Sequence, residues 1–124
     1  MAYRSEVGVK ICCPNTKTSK NVLDKIKKEG WFSETDKNAI FNYCVYDKDK
    51  ETITLHTDWI KWYEHYYEDI QAFKTWLREL GEGFEKKEEG GVHFVRIGEE
   101  LQDIDEEYWG QPEYWIEIDR VMTL

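Results

Sequence analysis

Apolar and polar positions alternate with a period near two at the start of the chain. Tyr3, Ser5, Val7, Val9, Ile11 and Cys13 fall on one side, Arg4, Glu6, Gly8, Lys10 and Cys12 on the other. This predicts a strand with one buried face, ended by Asn15 and by Pro14, which has no N–H for a ladder. A helix follows from about Ser19 to Glu29, with Val22, Leu23 and Ile26 along one side. Lys27 and Lys28 in its last turn and Gly30 just beyond suit a helix C-terminus. The run Ala39 to Tyr46 is apolar on both faces, and Thr52 to Thr57 alternates again. With the charged connector Asp47 to Glu51 between them, they read as an antiparallel hairpin whose register stays open for want of an Asn-Gly or Asp-Gly turn.

Between Trp59 and Leu80, the residues Trp59, Tyr63, Tyr66, Ile70, Phe73, Leu77 and Leu80 recur at spacings of four and three, one face of a helix. Its firm part is Glu68 to Leu80. Glu68 and Asp69 suit the N-terminal end of the dipole, Arg78 the C-terminal end, and Gly81 reads as the stop. Trp59 to Tyr67 reads either as helix or as an aromatic turn. Gly90 and Gly91 open a fourth strand, Val92 to Ile97. Beyond an acidic connector, Tyr114, Ile116 and Ile118 alternate with Trp115, Glu117 and Asp119 in a fifth. The order β-α-β-β-α-β-β predicts an α+β fold: a ferredoxin-like β-α-β-β-α-β sandwich with an added C-terminal strand, two helices on one face of a mainly antiparallel sheet. With no repeat, low-complexity tract or Gly/Ser linker, residues 1–124 read as a single compact domain.

Composition changes this picture little, and charge changes it more. Aromatic residues make up 15% of the chain, including Trp 6 and Tyr 8, enough to disfavour disorder. No apolar run approaches a membrane span or a secretory leader, and the three cysteines, with Cys12 and Cys13 adjacent, read as free thiols in a reducing cytoplasm. The formal charge is −9, from 17 Lys+Arg against 26 Asp+Glu. Glu99, Glu100, Asp103, Asp105, Glu106, Glu107, Glu113, Glu117 and Asp119 alone account for −9 with no Lys or Arg among them. The acidity is therefore local, and it argues against coating a nucleic acid. Three readings compete for it: a solvated loop, a docking surface for a basic protein partner with Trp109 as an aromatic anchor, and a metal site. The last lacks the spaced carboxylates and closing Glu of a calcium loop.

Candidate chemistry is sparse. His56, His65 and His93 stand in no zinc-like array, and no glycine-rich phosphate loop occurs, so neither metal nor cofactor is expected. A Cys44/His56 dyad across the hairpin is conceivable, but nothing in the sequence supplies an orienting carboxylate. Trp59, Lys61, Trp62, Tyr63 and Arg96 form a possible ligand pocket, in which aromatic rings stack a base and a cation meets its phosphate. Core packing is the competing account of the same rings.

The segments Y-R-S-E-V (Tyr3 to Val7), W-I-K-W-Y (Trp59 to Tyr63), F-V-R-I-G-E (Phe94 to Glu99) and D-I-D-E (Asp103 to Glu106) together resemble a group of small, largely uncharacterised proteins encoded by bacteriophages and prophages. The resemblance implies an accessory protein acting in the bacterial cytoplasm and carries over no catalytic residue. It directs attention to Trp62, Tyr63, Arg96, Gly98 and Glu99. The expectation is a non-enzymatic protein that inhibits or redirects a host protein with a basic surface, such as a defence nuclease. It would act through Glu99, Glu100, Asp103, Asp105, Glu106, Glu107 and Trp109. The alternative is a nucleotide-binding sponge or small nucleotide-processing enzyme.

Overall fold

A computed structural model describes residues 3–36, 38–63, 67–100 and 102–110, with backbone alone at 58 and 59. Seven elements follow one another: β1 (Ser5–Cys12), α1 (Thr16–Lys28), β2 (Tyr43–Asp47), β3 (Thr52–Ile60), α2 (Glu68–Lys87), β4 (Gly91–Gly98) and β5 (Ile104–Gly110). The strands form one antiparallel sheet in the order β2-β3-β1-β4-β5. The fold is therefore α+β, with two helices and a five-stranded open sheet.

The period of two in β1 is observed. Val7, Val9 and Ile11 join Ile53 and Leu55 of β3 and Val92 and Phe94 of β4 on one face. Val22 and Ile26 of α1 and Ile70, Phe73 and Leu77 of α2 close over that face in the same core. Its centre is aromatic: Phe73 meets Trp31 edge-on at 5.2 Å and Phe41 at 4.8 Å, and Phe41 and Phe94 both approach Trp62. Such off-parallel packing suits the ring quadrupoles.

Several boundaries differ from the sequence expectation, each for a local reason. The first helix begins at Thr16, because the Asn15 side chain caps it by accepting the Thr18 N–H at 2.8 Å. Its first turn holds no acid; instead the Glu51 carboxylate, from the hairpin connector, accepts the Thr16 and Ser19 hydroxyls at 2.9 and 2.6 Å and the Tyr46 hydroxyl at 2.7 Å. Those hydrogen bonds, Ser19's first, hold Glu51 below the usual carboxylate range. The second strand starts only at Tyr43, since Ile40 and Phe41 turn into the core and Phe41 N–H bonds the Trp31 carbonyl. The third strand runs on to Ile60, so the Trp59 backbone is strand rather than helix.

The second helix does not stop at Gly81. It continues to Lys87 and ends where Glu88 adopts the left-handed conformation and the Glu89 N–H returns to the Phe84 carbonyl. Gly81 is instead a packing position, because a Cβ there would overlap the Trp109 side chain of β5. The acidic connector contains the largest departure: Ile104 to Gly110 is a strand paired with β4. The strand expected at Tyr114 to Asp119 lies outside the described residues.

Candidate functional site

β5 and the turn before it carry most of the singled-out acids, and pairing with β4 divides them between two faces. Asp105, Glu107 and Trp109 stand opposite Arg96, Phe94 and Val92 on the helix-covered face, whereas Glu106 stands opposite Val95 on the other. Glu99 and Glu100 are exposed in the turn. The carboxylates thus share one rim of the sheet without forming one flat patch.

Cations remote in sequence meet them there. Arg96 lies between the two strands and donates from Nη2 to Asp103 Oδ1 at 2.6 Å, from Nε to Asp105 Oδ2 at 2.8 Å and from Nη1 to the Ser5 hydroxyl at 2.9 Å. Burial alone would lower its pKa, but the bonds to Asp103 and Asp105 outweigh that and raise it. The Tyr3 hydroxyl also donates to Asp103, and this bond raises the Tyr3 pKa. A Cβ at Gly98 would displace both the Asp103 carboxylate and the Tyr3 hydroxyl from their present places. On α2, Lys74 pairs with Glu107 while its ammonium sits 3.7 Å from the Phe94 ring centroid. Together α2 and β5 border a groove of about 610 Å³, lined by Lys74 and Arg78 on one side and Asp105, Glu107 and Trp109 on the other.

On the face away from the helices, His93 is 1% exposed, stacks on Tyr108 at 4.8 Å and points Nε2 toward Glu106 Oε2 at 3.5 Å. Burial lowers its pKa below 6.5, Glu106 opposes that only in part, and Lys10 adds to it. The unfolded chain therefore takes up this proton first as the pH falls below about 6.5, so stability is full above that value and declines below it. Urea midpoints measured between about pH 7.5 and 5.5 are expected to fall with acid in the wild type, and less so in His93→Gln; equal slopes would contradict this.

Among the described residues, those named for a possible ligand pocket are not brought together. Trp62 is buried between Phe41 and Phe94, and Tyr63 accepts the Tyr3 N–H through its hydroxyl at 2.9 Å. Arg96 is held by the two aspartates, and Lys61 lines a separate small cavity beside Ile40 and Tyr67. The Trp59 side chain, His65 and Tyr66 lie outside the described residues. The Cys44/His56 dyad is also not formed. Cys44 stands opposite Leu55 on the core face, while His56 faces the other way, 2.6 Å from Glu6 and stacked on Tyr43. Cys12 and Cys13 are buried on opposite faces as expected, and burial pushes the Cys13 thiol up to about 11, far from a reactive thiolate.

Tyr3, Ser5 and Lys74 belong to the site and were not foreseen. Each lies more than twenty residues from its partner, and no local pattern announces such contacts. Among the described residues no helix is long and apolar enough to cross a membrane, and no cluster of metal-binding side chains occurs. What the fold and site define is an α+β chain with an acidic strand at one edge of its sheet. No protein family, curated protein or solved structure matches it.

Proposed function

We propose that this protein is a binding module that takes a basic surface of a protein partner at the β5 rim. The observation that carries the reading is a charge imbalance. Even with Arg4, Lys74 and Arg96 all set against Glu99, Glu100, Asp103, Asp105, Glu106 and Glu107, three carboxylates remain in excess along β5 and the turn before it. Arg96 and Lys74 hold the strand in place, and the outward carboxylates steer a cationic partner. The likeness to phage-encoded accessory proteins makes that partner a host protein, and competition for its basic groove the means of inhibition. The strand order supports a finer reading of the fold: β2-β3-β1-β4 with two helices follows the ferredoxin-like plan, and β5 extends it.

The test reverses carboxylates that stand exposed on the rim. Glu99→Lys, Glu100→Lys and Glu106→Lys are combined, leaving Asp103 and Asp105 to hold Arg96. Proteins retained from a bacterial lysate by the wild type are identified and their affinities measured. Binding is expected to weaken roughly tenfold or more in the triple variant and to fall with added salt. An affinity indifferent to both overturns the reading.

A further inference from the structure

The two edges of the sheet are built in opposite ways. At β5, Asp105, Glu106 and Glu107 are charges of the kind that discourage another strand from adding. At β2, Tyr43 to Tyr46 contain no charge and no proline, and Asp47 comes only at the end. Tyr43 is 53% exposed and Val45 61% exposed, both on the face the helices leave uncovered. Beyond the isolated bridge from Phe32 to Phe41, which ends before β2 begins, no strand adjoins this edge among the described residues.

We propose that β2 is the contact through which two copies of this chain pair, antiparallel and about a twofold axis, joining their sheets into one. Pairing centred on Cys44 sets Tyr43 of each copy against Val45 of the other, an aromatic beside a β-branched side chain. It matches the most exposed apolar group to its neighbour, whereas centring on Val45 would set Tyr43 against Asp47. Charge favours a second copy as the occupant. Joined at β2, the two acidic edges stand nine strand spacings apart, roughly 43 Å, against a Debye length of about 8 Å at physiological salt. Joined anywhere near β5, they would repel. A strand this short buries less than the roughly 800 Å² per partner of a standard interface, so the pairing is reversible. The dimer carries its two β5 rims at opposite ends, free for partners.

Sedimentation equilibrium of the full chain tests this. The wild-type mass is expected to rise with concentration from 15.0 kDa toward twice that value. Val45→Lys, at a position open to solvent, is expected to stay at the monomer mass with an unchanged circular dichroism spectrum, and Tyr43→Ser provides a second variant should Val45→Lys fold poorly. Ile104→Lys, at another exposed apolar side chain but on β5, should associate as the wild type does. A wild type that stays at 15.0 kDa to its solubility limit overturns the proposal. So does self-association that survives both β2 variants, or that Ile104→Lys abolishes.

Discussion

Replacing Arg96 with alanine is expected to cost about 3 kcal/mol of folding free energy, since removing one partner of a largely buried ion pair strands the other. The Arg96 side chain is 14% exposed and the Asp103 side chain 29%. Without the guanidinium, Asp103 keeps the Tyr3 hydroxyl but loses its charge partner, and Ser5 loses a donor. Asp105, 61% exposed, adds little because water already screens it. Arg96→Lys retains the charge but cannot span two carboxylates and a hydroxyl, so a loss of about 1–2 kcal/mol is expected. For a domain of this size, 3 kcal/mol corresponds to roughly 12 °C in melting temperature. A change of less than a few degrees in Arg96→Ala would show that the two aspartates find other partners, and that the β4–β5 junction does not depend on this residue.

The second large effect is expected at Gly81. In an ordinary helix interior, replacing glycine stabilises by up to about 1 kcal/mol through reduced backbone entropy. Here the sign reverses. The added Cβ would overlap Trp109, so Gly81→Val forces α2 away from β5 and opens the contact that also holds Lys74 against Glu107. Overpacking of this kind costs about 1–3 kcal/mol, and a β-branched side chain in mid-helix adds to it. Chemical denaturation should report a loss of about 3 kcal/mol together with a change in tryptophan fluorescence. A Gly81→Val protein as stable as the wild type would mean that Trp109 moves aside without cost and that the α2–β5 contact does not depend on Gly81. Gly83 is the internal control: nothing lies within 4 Å of a Cβ placed there, so Gly83→Ala should stabilise.

Local sequence determined what depends on periodicity. The buried face of β1, the hairpin of β2 and β3, the apolar stripe Ile70, Phe73 and Leu77, and the run from Val92 to Ile97 all announce themselves because strands and helices repeat every two or about 3.6 residues. The α+β class follows from their order. Acidic composition was also legible, as was its concentration after residue 98.

Tertiary structure alone decided the meaning of individual positions. Asp105, Glu106 and Glu107 are poor strand formers and read as a solvated connector, yet β4 presents Arg96 and Phe94 opposite them and α2 brings Lys74, so the segment becomes an edge strand. Gly81 reads as a stop by propensity and is a contact point by packing. Trp62 reads both as a stacking platform and as core, and it is core because Phe41 and Phe94 close around it. The physical reason is common to all three. Periodicity reports which side of an element is buried, whereas the partner of a charge, or the neighbour that a missing Cβ admits, comes from an element dozens of residues away. Only the folded chain brings the two together.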